Sequence, residues 1–363
     1  MIYLDYQATT PLAPEAREAM LAWLGGPGDA SFGNPHSAHR MGRQAAAVVE
    51  LAREQVAALL PSGGRVIFTS GATEALNLAL RGSGGDVLTF ATEHAAVLDC
   101  ARPVEAQGRN FTALPVFAEG RADPEVVRSW ANDGVGLVCA MLVNNEIGTI
   151  NPLAEIVAIA HEAGALVLCD AVQGYGRIAV PGGADMIAIS AHKIHGPKGI
   201  GALWVRDGMS LEPLLYGGGQ EQGLRSGTLS PALCAGFGAA AELAAERMEE
   251  DAAHVATLWD RAREILSGWT LNGSAGHRWK GNLNLRRDGL DVSRLISDLR
   301  DIAFSAGSAC ASGSGRPSHV LRAIGLSDVE AKSSIRLGFG RYTTLEELEW
   351  AAKTIDDAAL QQG

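Results

Sequence analysis

A chain of 363 residues, 47% hydrophobic and 20% charged, has the balance of a globular protein large enough for two domains, which excludes a disordered polymer. The 30 Lys plus Arg against 41 Asp plus Glu leave a formal charge of −11. An acidic surface repels phosphate backbones, so direct nucleic-acid binding is not expected. Met1-Ile2-Tyr3-Leu4-Asp5 lacks the charged-then-apolar layout of a secretion signal and no apolar run is long enough for a bilayer, so a cytoplasmic location away from membranes is expected.

In chain order, residues 1–11 read as an extended arm attached elsewhere. From about 64 to 206 short apolar runs alternate with helical stretches: 65–69, 86–90, 135–142, 165–169, 185–190 and 201–205. Several are apolar at consecutive positions, as strands are when helices cover both faces of a mostly parallel sheet. This is an α/β layout. The proline-free interior of 231–267, rich in Ala, Glu, Leu, Arg and Met, predicts one long helix or two in series leading out of that unit. A smaller α+β unit is expected after about 268. Cys100, Cys139, Cys169, Cys234 and Cys310 are an odd set without a C-x-x-C pair, a pattern of reduced thiols rather than of a disulfide framework.

Four short segments carry candidate chemistry. In Ile67-Phe68-Thr69-Ser70-Gly71-Ala72-Thr73-Glu74 a strand ends, small residues turn and a helix begins near Thr73. Such a corner is either a phosphate seat or an ordinary capped turn. In Leu166-Val167-Leu168-Cys169-Asp170-Ala171-Val172-Gln173 a carboxylate closes a buried strand, where open α/β sheets place ligand contacts. Asp170 there must meet a cation or donor, a ligand's N–H or an internal salt bridge. Ser190-Ala191-His192-Lys193-Ile194-His195-Gly196-Pro197-Lys198-Gly199 puts Lys193 at a strand lip, where His192 and Lys198 could bias it toward Schiff-base chemistry. The two histidines have no third ligand cluster, so no metal is expected. In Ser305-Ala306-Gly307-Ser308-Ala309-Cys310-Ala311-Ser312-Gly313 a thiol lies among residues too small and polar to bury it. The other four cysteines sit in apolar surroundings and read as core filler. Cys310 instead has the setting of a group-carrying nucleophile.

Taken together, Thr73, Asp170, Ser190-Ala191-His192-Lys193 and Cys310 resemble the cysteine desulfurases of the NifS/IscS type. These belong to the fold-type I, class V aminotransferase-like enzymes that use pyridoxal 5′-phosphate (PLP). The likeness runs nearly end to end, including Tyr3-Leu4-Asp5-Tyr6-Gln7-Ala8-Thr9-Thr10-Pro11, Val143-Asn144-Asn145-Glu146, Arg225-Ser226-Gly227-Thr228 and Ser334-Ile335-Arg336. It implies a large PLP-binding domain over 12–250, with a mostly parallel mixed sheet sandwiched by helices. Residues 1–11 and 251–363 would form a smaller α+β domain carrying the cysteine loop.

The resemblance also implies roles. Lys193 would hold PLP and shuttle protons at the substrate Cα, Asp170 would keep the ring nitrogen protonated, Gln173 would bond the ring hydroxyl and His94 would stack on the ring. Ala72, Thr73, Ser190 and His192 would seat the phosphate, with Thr228 reaching across from a second subunit of a homodimer. Arg336 and Asn145 would hold the carboxylate of L-cysteine. Cys310 would take the sulfur as a persulfide, releasing alanine, and pass it to a protein acceptor in iron–sulfur assembly, thiolation or DNA sulfur modification. The Ser-rich setting of Cys310 matches one of the two branches of the family. Selenocysteine lyase, class V aminotransferase and a non-catalytic scaffold for sulfur-assembly proteins are the competing readings. One departure stands out: the family commonly has Glu-Arg-Gly where this chain has Glu221-Gln222-Gly223, at the expected subunit contact.

Overall fold

The computed structural model describes residues 1–132, 134–307 and 317–362; Cys310 lies outside them. The strands in chain order are β1 (Ile2–Tyr3), β2 (Gly64–Thr69), β3 (Asp86–Phe90), β4 (Phe111–Leu114), β5 (Val135–Met141), β6 (Leu166–Asp170), β7 (Met186–Ser190), β8 (Gly201–Arg206), β9 (Thr270–Leu271), β10 (Asn282–Arg286), β11 (Ile302–Ala303), β12 (Ser305–Ala306) and β13 (Ser334–Gly338). Seven of them form one sheet in the order β2-β8-β7-β6-β5-β3-β4. Strands β3 to β7 are parallel, and β8 runs antiparallel between β7 and β2. The C-terminal ends of β2, β3, β5, β6 and β7 therefore share one edge of a mixed, mostly parallel α/β sheet.

The apolar runs read from the sequence are six of these seven strands. The seventh, β4, has Phe111 and Thr112 half-buried, Ala113 exposed and only Leu114 fully covered, so it carries no continuous apolar signal. Stretch 231–267, open on sequence between one helix and two, is the single helix Pro231–Ile265. Ser230 caps it, its side chain accepting from the Leu233 N–H, and proline opens its first turn. A Cβ at Gly236 would fall 2.5 Å from Met20 Cγ, and one at Gly238 would fall 2.8 Å from Ala52 Cα. These glycines let the helix pack closely on Pro14–Leu21 and Arg40–Ala57. Cys100, Cys139, Cys169 and Cys234 are all buried, and burial pushes each thiol above its ordinary pKa. They are inert core residues, in line with their apolar sequence surroundings.

After the long helix the chain builds an antiparallel sheet, β12-β13-β10-β9. The N-terminal arm joins this end of the molecule: β1 pairs in parallel with β11, and Asp5 bridges to Gly338 at the end of β13. From there residues 7–10 cross back to the large sheet, which brings the arm over the edge where the strands end.

The outer edge of β2 would be left with open backbone groups. Glu221 Oε2 accepts from the Phe68 N–H at 2.7 Å, and Arg53 Nη1 donates to the Val66 carbonyl at 2.7 Å. The two side chains also pair with each other at 2.7 and 2.8 Å. Glu221 and Gln222 adopt φ of 48° and 57°, a left-handed turn that bulky residues rarely take, and this turn delivers the carboxylate to the strand. Gln222 itself is exposed. Replacing Glu221 by Ala leaves the buried Phe68 N–H without its acceptor and takes one carboxylate from the half-buried Arg53, which keeps Glu50 and the Val66 carbonyl, so a loss of about 2 kcal/mol is expected. Urea unfolding checks this, and a loss below about 1 kcal/mol, typical of an exposed pair, would show that the edge is satisfied otherwise.

Candidate active site

A cavity of about 600 Å³ opens at the shared strand edge. Its first wall comes from β2. After Thr69 the chain turns through Ser70 and Gly71 into helix Ala72–Gly82, which has no side-chain cap. The first backbone N–H groups of such a helix have no intrahelical acceptor and attract anions. Ser70, Gly71, Ala72 and Thr73 all line the cavity. Glu74, one step further, accepts from the Ser70 N–H at 2.7 Å and from Arg225 Nε at 2.8 Å, which fixes the turn.

Facing this seat are Ser190 at the end of β7, and His192, Lys198 and Gly199 beyond it. His192 Nδ1 lies 3.1 Å from Thr9 Oγ1. Burial, with Lys193, Lys198 and Arg177 nearby, depresses its pKa to about 4, so it is a neutral ring at physiological pH. Thr73, Ala72, Ser190 and His192, dispersed in sequence, thus meet in space.

Asp170 ends β6 and is buried. Its carboxylate accepts from the Val172 N–H at 3.0 Å. Burial pushes its pKa up, and the neighbouring His94 and Lys193 draw it back, so a cation in the cavity would stabilise the ionised form. His94 caps the short helix Ala95–Leu98, its Nδ1 accepting from the Ala96 N–H at 3.0 Å. Burial holds its pKa below the ordinary imidazole value, against the pull of Asp170. Just before it, fully buried Glu93 accepts from the Met141 N–H at 2.8 Å and locks the ends of β3 and β5 together.

Lys193 closes the turn after β7. Its Nζ donates to the carbonyls of Gln7 and Ala8 at 2.5 and 2.8 Å. Gln173 Nε2 donates to the same Gln7 carbonyl at 3.0 Å. Arg336, on β13 and only 1% exposed, reaches the cavity from the other sheet. It is not a lone fork: Nη2 donates to Asp5 Oδ1 at 2.7 Å and Nη1 to the Asn145 carbonyl at 3.1 Å. Asn145 lines the cavity, and its buried Oδ1 has no hydrogen-bond partner among the described residues.

Of the residues singled out on sequence, Thr228 is exposed and does not line this cavity, and Cys310 lies outside the described residues. The others line one cavity. Sequence reasoning gave no role to Gln7, Ala8 and Thr9, whose backbone and side chains meet Lys193, Gln173 and His192. It also passed over Arg177, although a charged residue four positions after Gln173 was a visible signal.

The family model for aminotransferase class-V matches residues 2–350. Cysteine desulfurase IscS of Rickettsia rickettsii (strain Iowa) is 44% identical over 98% of this chain and 90% of its own length. The chain belongs to the cysteine desulfurase family. Among solved structures, a NifS-like protein matches with a TM-score of 0.89 and 32% identity, covering 98% of each chain. SspA, solved in complex with cysteine, matches at 0.83 and 33% identity over 95% of this chain and 100% of its own. Within this family of class-V aminotransferase-like enzymes the cofactor is PLP, and the cavity fits it. The uncapped helix start suits a phosphate, buried Asp170 suits a ring N–H, and Lys193 lines the same cavity as both. Among the described residues no helix is long and apolar enough to cross a membrane, and no group of three or more metal-ligating side chains is present.

Acid stability of this cysteine desulfurase-family fold follows from its buried histidines. His192 and His195 have pKa values depressed from 6.5 to about 4, chiefly by burial. Between these values the unfolded chain binds protons that the folded chain refuses, so stability falls as pH drops through that window. His195→Gln is expected to lessen the fall in the urea midpoint of the apoprotein between pH 6.5 and about 4. Parallel profiles for variant and wild type would show that His195 does not contribute.

Proposed function

We propose that this chain is a PLP-dependent cysteine desulfurase that converts L-cysteine to L-alanine and leaves the sulfur as a persulfide on Cys310. The convergence of Lys193, Asp170, His94, Gln173 and the helix Ala72–Gly82 on one cavity carries the reading, supported by 44% identity to an IscS enzyme along nearly the whole chain. Bound PLP supplies an electron sink that acidifies the substrate Cα–H and loosens the Cβ–S bond.

The chain's own groups supply the rest. Thr73, Ala72, Ser190 and neutral His192 hold the phosphate, with Thr228 contributed from the other subunit of a homodimer. With PLP bound, Asp170 would keep the ring nitrogen protonated, Gln173 would serve the ring hydroxyl and His94 would help hold the ring. Arg336, pre-set by Asp5, and Asn145 orient the substrate carboxylate. Lys193 removes the Cα proton. The Cys310 thiolate then attacks the substrate sulfur: an S–S bond forms as the Cβ–S bond breaks, and the released electron pair ends in a new C–H bond of alanine. The net exchange is cysteine plus thiol to alanine plus persulfide, with no outside oxidant or reductant.

A homodimer also accounts for Tyr216 (80% exposed) and Leu215 (43% exposed). Leu215 bridges to Arg225 beside Thr228, so a second subunit that brings Thr228 to the cofactor would cover this apolar face. In this reading 12–250 is the PLP-binding domain and 1–11 with 251–363 the smaller one. The enzyme works in the cytoplasm and hands its sulfur to a protein acceptor.

The decisive assay supplies L-cysteine and looks for alanine together with a gain of one sulfur mass on the peptide containing Cys310. Cys310→Ser should keep the visible absorption of the PLP-loaded protein and lose sulfide release under reductant, whereas Lys193→Ala should lose the absorption. Undiminished turnover by Cys310→Ser would overturn the persulfide role.

A further inference from the structure

We propose that Arg177 is a positioning residue that fixes Gln173 as a hydrogen-bond donor toward the cavity and couples that orientation to the Lys193 turn. This rests on the cofactor roles proposed above. Arg177 Nη1 donates to Gln173 Oε1 at 2.5 Å and to the Gln173 carbonyl at 3.3 Å, while Nη2 donates to the Lys193 carbonyl at 2.8 Å. A guanidinium has only donors to offer, so the amide must turn its oxygen toward it. On the other side of the amide, Nε2 donates to the Gln7 carbonyl at 3.0 Å.

Flipping the amide would set NH2 against the guanidinium and oxygen against the Gln7 carbonyl, two repulsive contacts in place of two bonds. One Nε2 hydrogen is then left for the cavity that Gln173 lines. The oxygen of a ring hydroxyl placed there meets a donor and is held as an acceptor, which favours its deprotonated form. Because Lys193 Nζ donates to the same Gln7 carbonyl at 2.5 Å, the guanidinium grips both groups that share that acceptor. A charge-assisted bond is about twice as strong as a neutral one, so Arg177 can hold the amide where a neutral neighbour would let it turn.

The test titrates apoprotein with PLP and records the dissociation constant and visible spectrum for wild type, R177K, R177M, Q173L and the R177M/Q173L double variant. R177M should bind PLP about ten-fold more weakly, as loss of a charge-assisted bond implies, and its visible band should shift. R177K, which keeps a cationic donor, should recover most of both effects. In the Q173L background R177M should add little, because the amide it acts through is gone. Wild-type spectrum and affinity in R177M, or effects that simply add in the double variant, would overturn the proposal. If R177M does not fold, Q173E decides: it keeps the bond to Arg177 but has no donor, so unchanged affinity and spectrum would be equally fatal. Failure of wild-type protein to develop visible absorption with PLP would instead count against the cofactor roles on which the proposal rests.

Discussion

The Lys193 ammonium sits on the carbonyls of Gln7 and Ala8, and through those two bonds the N-terminal arm is tied to the end of β7. Further contacts reinforce the tie: Thr10 Oγ1 donates to the His192 carbonyl at 3.0 Å and accepts from the His195 N–H at 2.7 Å. The same arm carries Asp5, which holds Arg336. A lysine with a long flexible stem is thereby placed relative to both sheets, and the group expected to bind the substrate carboxylate is placed by the same ten residues. Positioning of this kind turns an encounter into a reaction.

Around that tie the parallel sheet does what parallel sheets do. Its strands are buried on both faces, and polar groups emerge where they end. Asp170, Ser190 and the turn after Thr69 come from three strands whose ends share one edge. Because Asp170 is buried, its charge is poorly screened by water and acts strongly on whatever occupies the cavity. Neutral His192 and the first N–H groups of the helix add donors around the cavity without adding charge, and Lys193, Lys198 and Arg177 are the cations near His192. One side of the cavity thus favours an anion and the other an N–H.

Much of this was legible in the amino-acid order because its causes are local. Consecutive apolar residues mark buried strands, and a polar residue closing such a run marks the edge: Asp170 and Ser190 were visible in that way. Gly71 and Ala72 after β2 mark a turn into a helix. The partners of these groups were not legible, because they come from far along the chain. Arg336 was expected to hold a carboxylate, but its partner Asp5, 331 positions away, was not foreseen. The pairing of Arg53 with Glu221 spans 168 positions and needs a left-handed turn that nothing in Glu221-Gln222-Gly223 except the glycine announces. Arg177 drew no reading at all, because only the folded turn brings its guanidinium onto Gln173 and the Lys193 carbonyl. The short β4 was missed because a half-exposed strand of mixed residues has no period to detect.

The chain's lysines are Lys193, Lys198, Lys280, Lys332 and Lys353, and both Lys193 and Lys198 line the cavity. Hydride reduction of the PLP-loaded protein followed by peptide mass analysis tells them apart. The cofactor mass should appear on the peptide containing Lys193 and at that residue. Label on Lys198, or on none of the lysines, would contradict the placement of the reaction at the turn held by the N-terminal arm.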